Sequence, residues 1–194
     1  MVKIILSLLT TGFLSLSTLV AEPLVYKVDP VHSGVNFKIR HFINKVPGTF
    51  SEFTGTIHYD KENPENSKAE ATIQIASVDT RNTDRDAHLQ NEDFFQASRF
   101  PVIKFASTSW KPIGEDTFEV VGVLDIAGEQ HPVVLNVEYL GEVEGRGMIR
   151  SGWEGTATID RTNWGLTYGT PAVGKEVEIE LNIQAHRDVD ESTD

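Results

Sequence analysis

The chain has 194 residues, enough for one domain with a substantial core, and its composition shows no collagen-like, coiled-coil or low-complexity bias. Lys and Arg number 17 against 29 Asp and Glu, a net charge of -12, which excludes a protein that grips nucleic acid through a broad basic face. There is no cysteine, so disulfides, thiolate zinc sites and a cysteine nucleophile are excluded, and stability must come from packing.

In chain order, the first segment stands apart. Lys3 is the only charge before Glu22, and 4–20 is apolar with Ser, Thr and Gly interspersed. A short positive region, an apolar stretch and a small residue at Ala21 predict a secretory signal peptide over 1–21. An uncleaved anchor is the alternative, but the run is near the lower limit for a span and hydroxyl residues dilute it. With no cysteine after Ala21, a lipid-modified N-terminus is excluded. The expectation is an exported protein, periplasmic or secreted.

From there the dominant signal is alternation with period two, the pattern of strands with one dry and one wet face. Val35, Phe37 and Ile39 alternate with Asn36, Lys38 and Arg40. A less regular strand is predicted over 50–59, followed by a turn at 62–66. Ala69, Ala71, Ile73 and Ile75 then alternate with Glu70, Thr72 and Gln74. The stretch 80–95 breaks the pattern: it is charged, suits a short helical connection near 82–95, and ends in Phe94 and Phe95 as an apolar anchor. Strands resume over 102–110, and then with Phe118, Val120, Gly122, Leu124 and Ile126 on one face. Val133, Leu135, Val137 and Tyr139 mark the next; Trp153, Gly155, Ala157 and Ile159 the one after; Val177, Ile179, Leu181 and Ile183 the last. The tail 187–194 is acidic and reads as a solvated, disordered terminus.

Eight strands with connections too short for helical crossovers predict an all-β, antiparallel fold. Closure into a barrel would remove exposed edges, and eight strands leave an interior that side chains fill or that holds one small ligand. Small residues on the dry face (Ala69, Ala71, Gly122, Gly155, Ala157) either leave empty volume or admit larger residues from across the core. Pattern alone leaves a hollow barrel and a solid-cored sandwich both open.

Short motifs in order carry a resemblance. They are DPVHSGVNFKIRH at 29–41, GTFSEFTG at 48–55 and SVDT at 77–80 with RDAHL at 85–89. DFF at 93–95, FPVIKFAS at 100–107, GVLDIAG at 122–128 and RTNWG at 161–165 follow. Together they resemble the YceI-like family over nearly all of residues 22–186. The resemblance implies an extended, eight-stranded, lipocalin-like β-barrel that binds a polyisoprenoid, an isoprenoid quinone or a related amphiphile. It also implies mostly exported members, and a homodimer is compatible with it. Trp164 stands where many members carry Phe, and both are large and apolar.

A long apolar chain needs a dry, preformed tube with few polar groups. On that basis Phe37, Ile39, Phe53, Ile73, Ile75 and Phe105 are candidate ligand contacts, with Leu124, Leu135, Val137, Tyr139, Ile159, Ile179 and Leu181. Phe50, Phe94, Phe95, Trp153 and Trp164 are candidates for the mouth. For any one of these, plain core packing is an equal alternative.

Catalytic and metal readings find less support. His88 lies four residues after Asp84, which would place both on one helix face, but no third ligand or His-Glu-x-x-His pattern accompanies them. Neither Gly-x-Ser-x-Gly nor Ser-x-x-Lys is present, and Ser33 and His32, as strand neighbours, would face opposite sides. Asp84, Arg85 and Asp86 are expected to pin the helix over a barrel end by ion pairs, and Arg161 to bond strand-end carbonyls. An amphiphile's headgroup could instead meet Arg161 or His88. The sequence therefore points to a binding or carrier protein without metal or cofactor, with an enzyme acting on such a lipid through Arg85, Asp86 or His88, and a ligand-free structural or stress protein, as the alternatives.

Overall fold

The computed structural model describes residues 22–189. The predicted leader at 1–21 and the end of the acidic tail lie outside the described residues. The strands are β1 Leu24–Val28, β2 Gly34–His41, β3 Asn44–Phe50, β4 Phe53–Tyr59, β5 Lys68–Gln74 and β6 Val78–Asp79. After helix α1, Thr83–Leu89, come β7 Val102–Gly114, β8 Thr117–Ile126, β9 Glu129–Gly145, β10 Met148–Asp160 and β11 Val173–Asp188.

All pair in one antiparallel sheet in the order β1, β4, β5, β7, β8, β9, β10, β11, and β11 pairs back onto β1. That return closes the barrel. The remaining strands continue three of these positions past a break. β2 follows β1 and takes its place on β11, β3 precedes β4 and lies on β2, and β6 follows β5 and lies on β3. The fold is therefore the expected closed barrel of eight antiparallel strand positions with one short helix. β11 runs to Asp188, paired with Met148, so Arg187 and Asp188 belong to the barrel and not to the acidic tail.

Each break has a local cause. Asp29 accepts from Val31 N and pairs with His32 Nδ1, and Pro30 opens the tight turn Pro30–His32. Ser33 Oγ then bonds the Gln184 backbone, tethering the kink to β11. The other two breaks lie side by side: Ser51 N donates to Ser77 O and Gln74 N to Glu52 O. At the β8–β9 turn, Ala127 and Gly128 both have positive φ (54° and 83°), as a two-residue hairpin loop of this twist requires.

The alternation in β8 is complete, every second residue from Phe118 to Ile126 being buried. The interior has two packed regions. One joins Val35, Phe50, Phe53, Ile75, Ile103, Ile126 and Trp164 near the α1 end. The other joins Tyr26, Tyr59, Trp110, Phe118, Tyr139 and Trp153 at the opposite end. Among the described residues no helix is long and apolar enough to cross a membrane.

Candidate functional site

Between the two packed regions lies a cavity of about 500 Å³, within the usual range for small-molecule sites. Its walls come from alternate residues of nearly every strand. Phe37 and Ile39 line it from β2, Phe50 from β3, Ile73 from β5, Phe105 from β7 and Leu124 from β8. Leu135 and Val137 line it from β9, Trp153 and Ile159 from β10, Ile179 and Leu181 from β11, and Phe94 and Phe95 from the segment after α1. The small residues Ala69, Ala71 and Ala157 also face it, whereas Gly155, which lines it too, is packed against Leu181. Gly122 is covered too: a Cβ there would stand 2.3 Å from the Phe105 ring, so this glycine seats an aromatic side chain.

Four of the residues singled out from sequence stand away from the cavity. Phe53 and Ile75 are spent on the packed region near α1, with Ile75 fully buried. Trp164 is 3% exposed, and its indole N–H donates to Leu124 O at 2.9 Å, which fixes the ring within the wall near His131. Tyr139 packs between Tyr59 (5.0 Å between centroids) and Trp153 (4.6 Å).

Those three rings, with Trp110, Phe118 and Tyr26, make the floor, so Trp153 stands at the end opposite the mouth expected for it, held there by its packing on Tyr59 and Tyr139. Tyr26 Oη donates to Glu142 Oε2 at 2.7 Å, and the Trp110 and Trp153 N–H groups donate to Ser107 and Ser151. Polar edges are thus satisfied while the faces stay dry. Burial is the main cause that pushes the Tyr59 phenol up to about 12, helped by the Asp116 charge, and that raises Tyr139, helped by Glu142.

The mouth lies at the other end, framed by α1, the β2–β3 hairpin and the loop between β10 and β11. Here His41, Thr80, Arg85, His88 and Tyr168 join the lining. His88 packs edge-on to Phe94 (5.1 Å) and Tyr168 (4.9 Å), and its Nε2 lies 3.2 Å from Asp93 Oδ2. The helix is held by hydrogen bonds to Thr80 rather than by the ion pairs expected. Asp86 Oδ1 accepts from Thr80 N at 2.8 Å, and Arg85 donates to Thr80 Oγ1 and O. The reason is local: Thr80 precedes the helix, so its free backbone groups are the nearest partners.

Arg161 lines the cavity and is 4% exposed. It donates to the carbonyls of Gly174, Leu166, Tyr168 and Val173 and to Thr170 Oγ1, folding the whole β10–β11 loop around its guanidinium. Among the described residues no group of three or more His, Cys, Asp or Glu could hold a metal ion.

Sequence reasoning missed several lining residues. Trp110 has the wrong parity relative to Phe105, but a register shift between Ser107 and Ser109 turns it inward. Tyr168 and Leu166 sit in an irregular loop with no period to read.

The model of the YceI-like domain matches residues 26–185. A UPF0312 protein of Ectopseudomonas mendocina is 37% identical over 158 residues, 80% of this chain and 83% of the relative. The crystal structure of the Campylobacter jejuni YceI protein superposes with a TM-score of 0.70 at 29% identity, over 76% of this chain and 88% of that one. A polyisoprenoid binding domain from Saccharophagus degradans shares the fold with a TM-score of 0.62 at 16% identity, over 84% of this chain and 98% of that domain.

Proposed function

The chain belongs to the YceI-like family, and from that premise we propose that it is an exported lipid-binding protein. Its barrel holds one long isoprenoid or acyl chain, such as a polyisoprenoid or an isoprenoid quinone, for sequestration, storage or transport. The observation that carries this reading is the cavity, apolar over almost all its wall, floored by packed aromatics, with polar groups gathered at the α1 end.

That shape suits an amphiphile. Each methylene taken from water contributes about 0.8 kcal/mol, so affinity grows with chain length and needs no polar contact inside. Ordering the chain offsets much of that sum. A headgroup left at the mouth meets Arg85, His88 and Tyr168, and keeps its own hydration. The S. degradans domain supports the reading through its shared architecture, while the lining residues carry it for this chain.

Binding is favoured over catalysis because the polar groups near the cavity are occupied in building it. Arg161 holds the β10–β11 loop, and Arg85 and Asp86 hold Thr80. The leader at 1–21 is the ground for export.

The test is fluorescence titration with a dansyl-labelled farnesol, displaced by geranylgeraniol or a long-chain fatty amide. Ala71→Trp fills the cavity and Leu135→Glu places a charge in it, so each is expected to weaken binding about tenfold or more. Lys38→Glu changes an exposed residue and should leave the affinity as it was. Equal affinities in all four proteins would overturn the proposal.

A further inference from the structure

The β2–β3 hairpin ends in two apolar residues, Phe42 at 63% exposure and Ile43 at 92%. Phe42 has φ 52°, a region that bulky side chains rarely occupy and that Asn or Gly takes more easily. Its backbone is pinned there. Phe42 N donates to Ala172 O at 2.7 Å, and its carbonyl accepts from Arg40 Nη1 at 2.7 Å. The fold gains little from these side chains, since most of their surface meets water.

Their position gives them a use. Ile39, His41 and Val46, on either side of the tip, line the cavity. Tyr168, 49% exposed, lines it from the neighbouring loop. The tip therefore continues the dry wall outward past the mouth. Ile113, Leu140 and Val143 are also exposed, but they sit on strands toward the closed end.

Charge on the hairpin runs opposite to the rest of the chain. Residues 33–51 contain Lys38, Arg40 and Lys45 and no carboxylate, in a protein of net charge -12. Lys38 and Lys45 pair with Glu180 and Glu178 of β11, and Arg40 donates to the Phe42 carbonyl. From the α1 side, Arg81, Asp84, Arg85, His88, Glu92 and Asp93 supply charges of both signs.

We propose that this tip seats the mouth on a lipid bilayer. Phe42 and Ile43 enter the interface, Arg40 and Lys45 meet lipid phosphates, and the chain passes between bilayer and cavity without crossing water. The idea rests on the reading that the cavity takes a lipid chain. The remaining negative charge repels an anionic surface, but only within the screening length of about 8 Å at physiological salt, so the contact is weak and reversible.

The experiment compares the wild type with the double variant Phe42→Asn, Ile43→Ser. Co-sedimentation uses phosphatidylcholine vesicles containing phosphatidylglycerol. Stopped-flow fluorescence follows dansyl-farnesol passing from protein to vesicle. The variant should melt no lower than the wild type, because Asn suits the Phe42 backbone. It should bind vesicles at least about tenfold more weakly, with a transfer rate that no longer rises with vesicle concentration. Its affinity for dansyl-farnesol in solution should match the wild type.

Unchanged sedimentation and transfer in the variant would overturn the docking proposal. So would light scattering that shows a wild-type dimer and a monomeric variant, since the tip would then bind a second copy. A protein that sediments through its tip yet takes up no dansyl-farnesol would support docking and refute the lipid-carrier reading.

Discussion

Arg161 shows how one residue organises the site. A buried guanidinium with four carbonyls and a hydroxyl around it is satisfied only while the β10–β11 loop keeps its course. Burial lowers its pKa, against the pull of the Asp160 charge. Arg161→Met keeps the volume and strands the carbonyls. Leaving buried acceptors unpaired costs about 1–3 kcal/mol each where water cannot reach them, so thermal melting should fall well below the wild type. Protease cleavage in the loop around Tyr168 should rise with it. A variant with wild-type melting would show that water replaces the guanidinium without penalty. The carbonyl-bonding role of Arg161 was one of two readings open in the sequence, contact with a headgroup being the other. The fate of Trp164 was not legible, since nothing local distinguishes a ring in the wall from a ring at the mouth.

At the scale of elements, the strands were readable wherever alternation ran unbroken, as in β8 and β11. Phe37, Ile39, Ile179 and Leu181 fall on the dry face by parity alone, and the cavity has them. Parity fails at bulges. The shift between Ser107 and Ser109 turns Trp110 inward, and another between Gly152 and Trp153 keeps Trp153 opposite Tyr139. These shifts depend on neighbouring strands, which a single segment does not display.

The floor they build from β1, β4, β7, β8, β9 and β10 has a pH signature. Folding favours the neutral phenol of Tyr59, raising it from 10.0 to about 12, and raises Tyr139 and Tyr26 as well. A group raised in the folded state lends stability that is complete below its unfolded value and is lost as pH climbs through the folded one. Chemical denaturation should therefore show stability level up to pH 10.0 and falling toward pH 12. Tyr59→Phe should soften that fall. Phenolate absorbance should lag behind that of the unfolded chain, and a stability that stays flat across this window would refute the floor's role.

For the whole molecule, the alternation showed antiparallel strands with one dry face, without deciding between a barrel and a sandwich. It left open whether the interior is filled. The answer depends on where large side chains lie relative to small ones. Gly122 is filled by Phe105 and Gly155 is covered by Leu181, while Ala69, Ala71 and Ala157 face the cavity above the aromatic floor. Local pattern carries the faces of strands, and only closure of the sheet assigns each small residue its opposite number. The mouth was the least legible part, because it is built from a helix, a hairpin tip and a loop whose meeting is set by the barrel.

The most direct measurement is native mass spectrometry of the protein isolated from the cell envelope without added lipid. The account predicts a chain starting near Glu22 that carries one noncovalent apolar adduct, with the adduct lost in Ala71→Trp. A protein that arrives empty, and that stays empty after incubation with geranylgeraniol or a long-chain fatty amide, would contradict it.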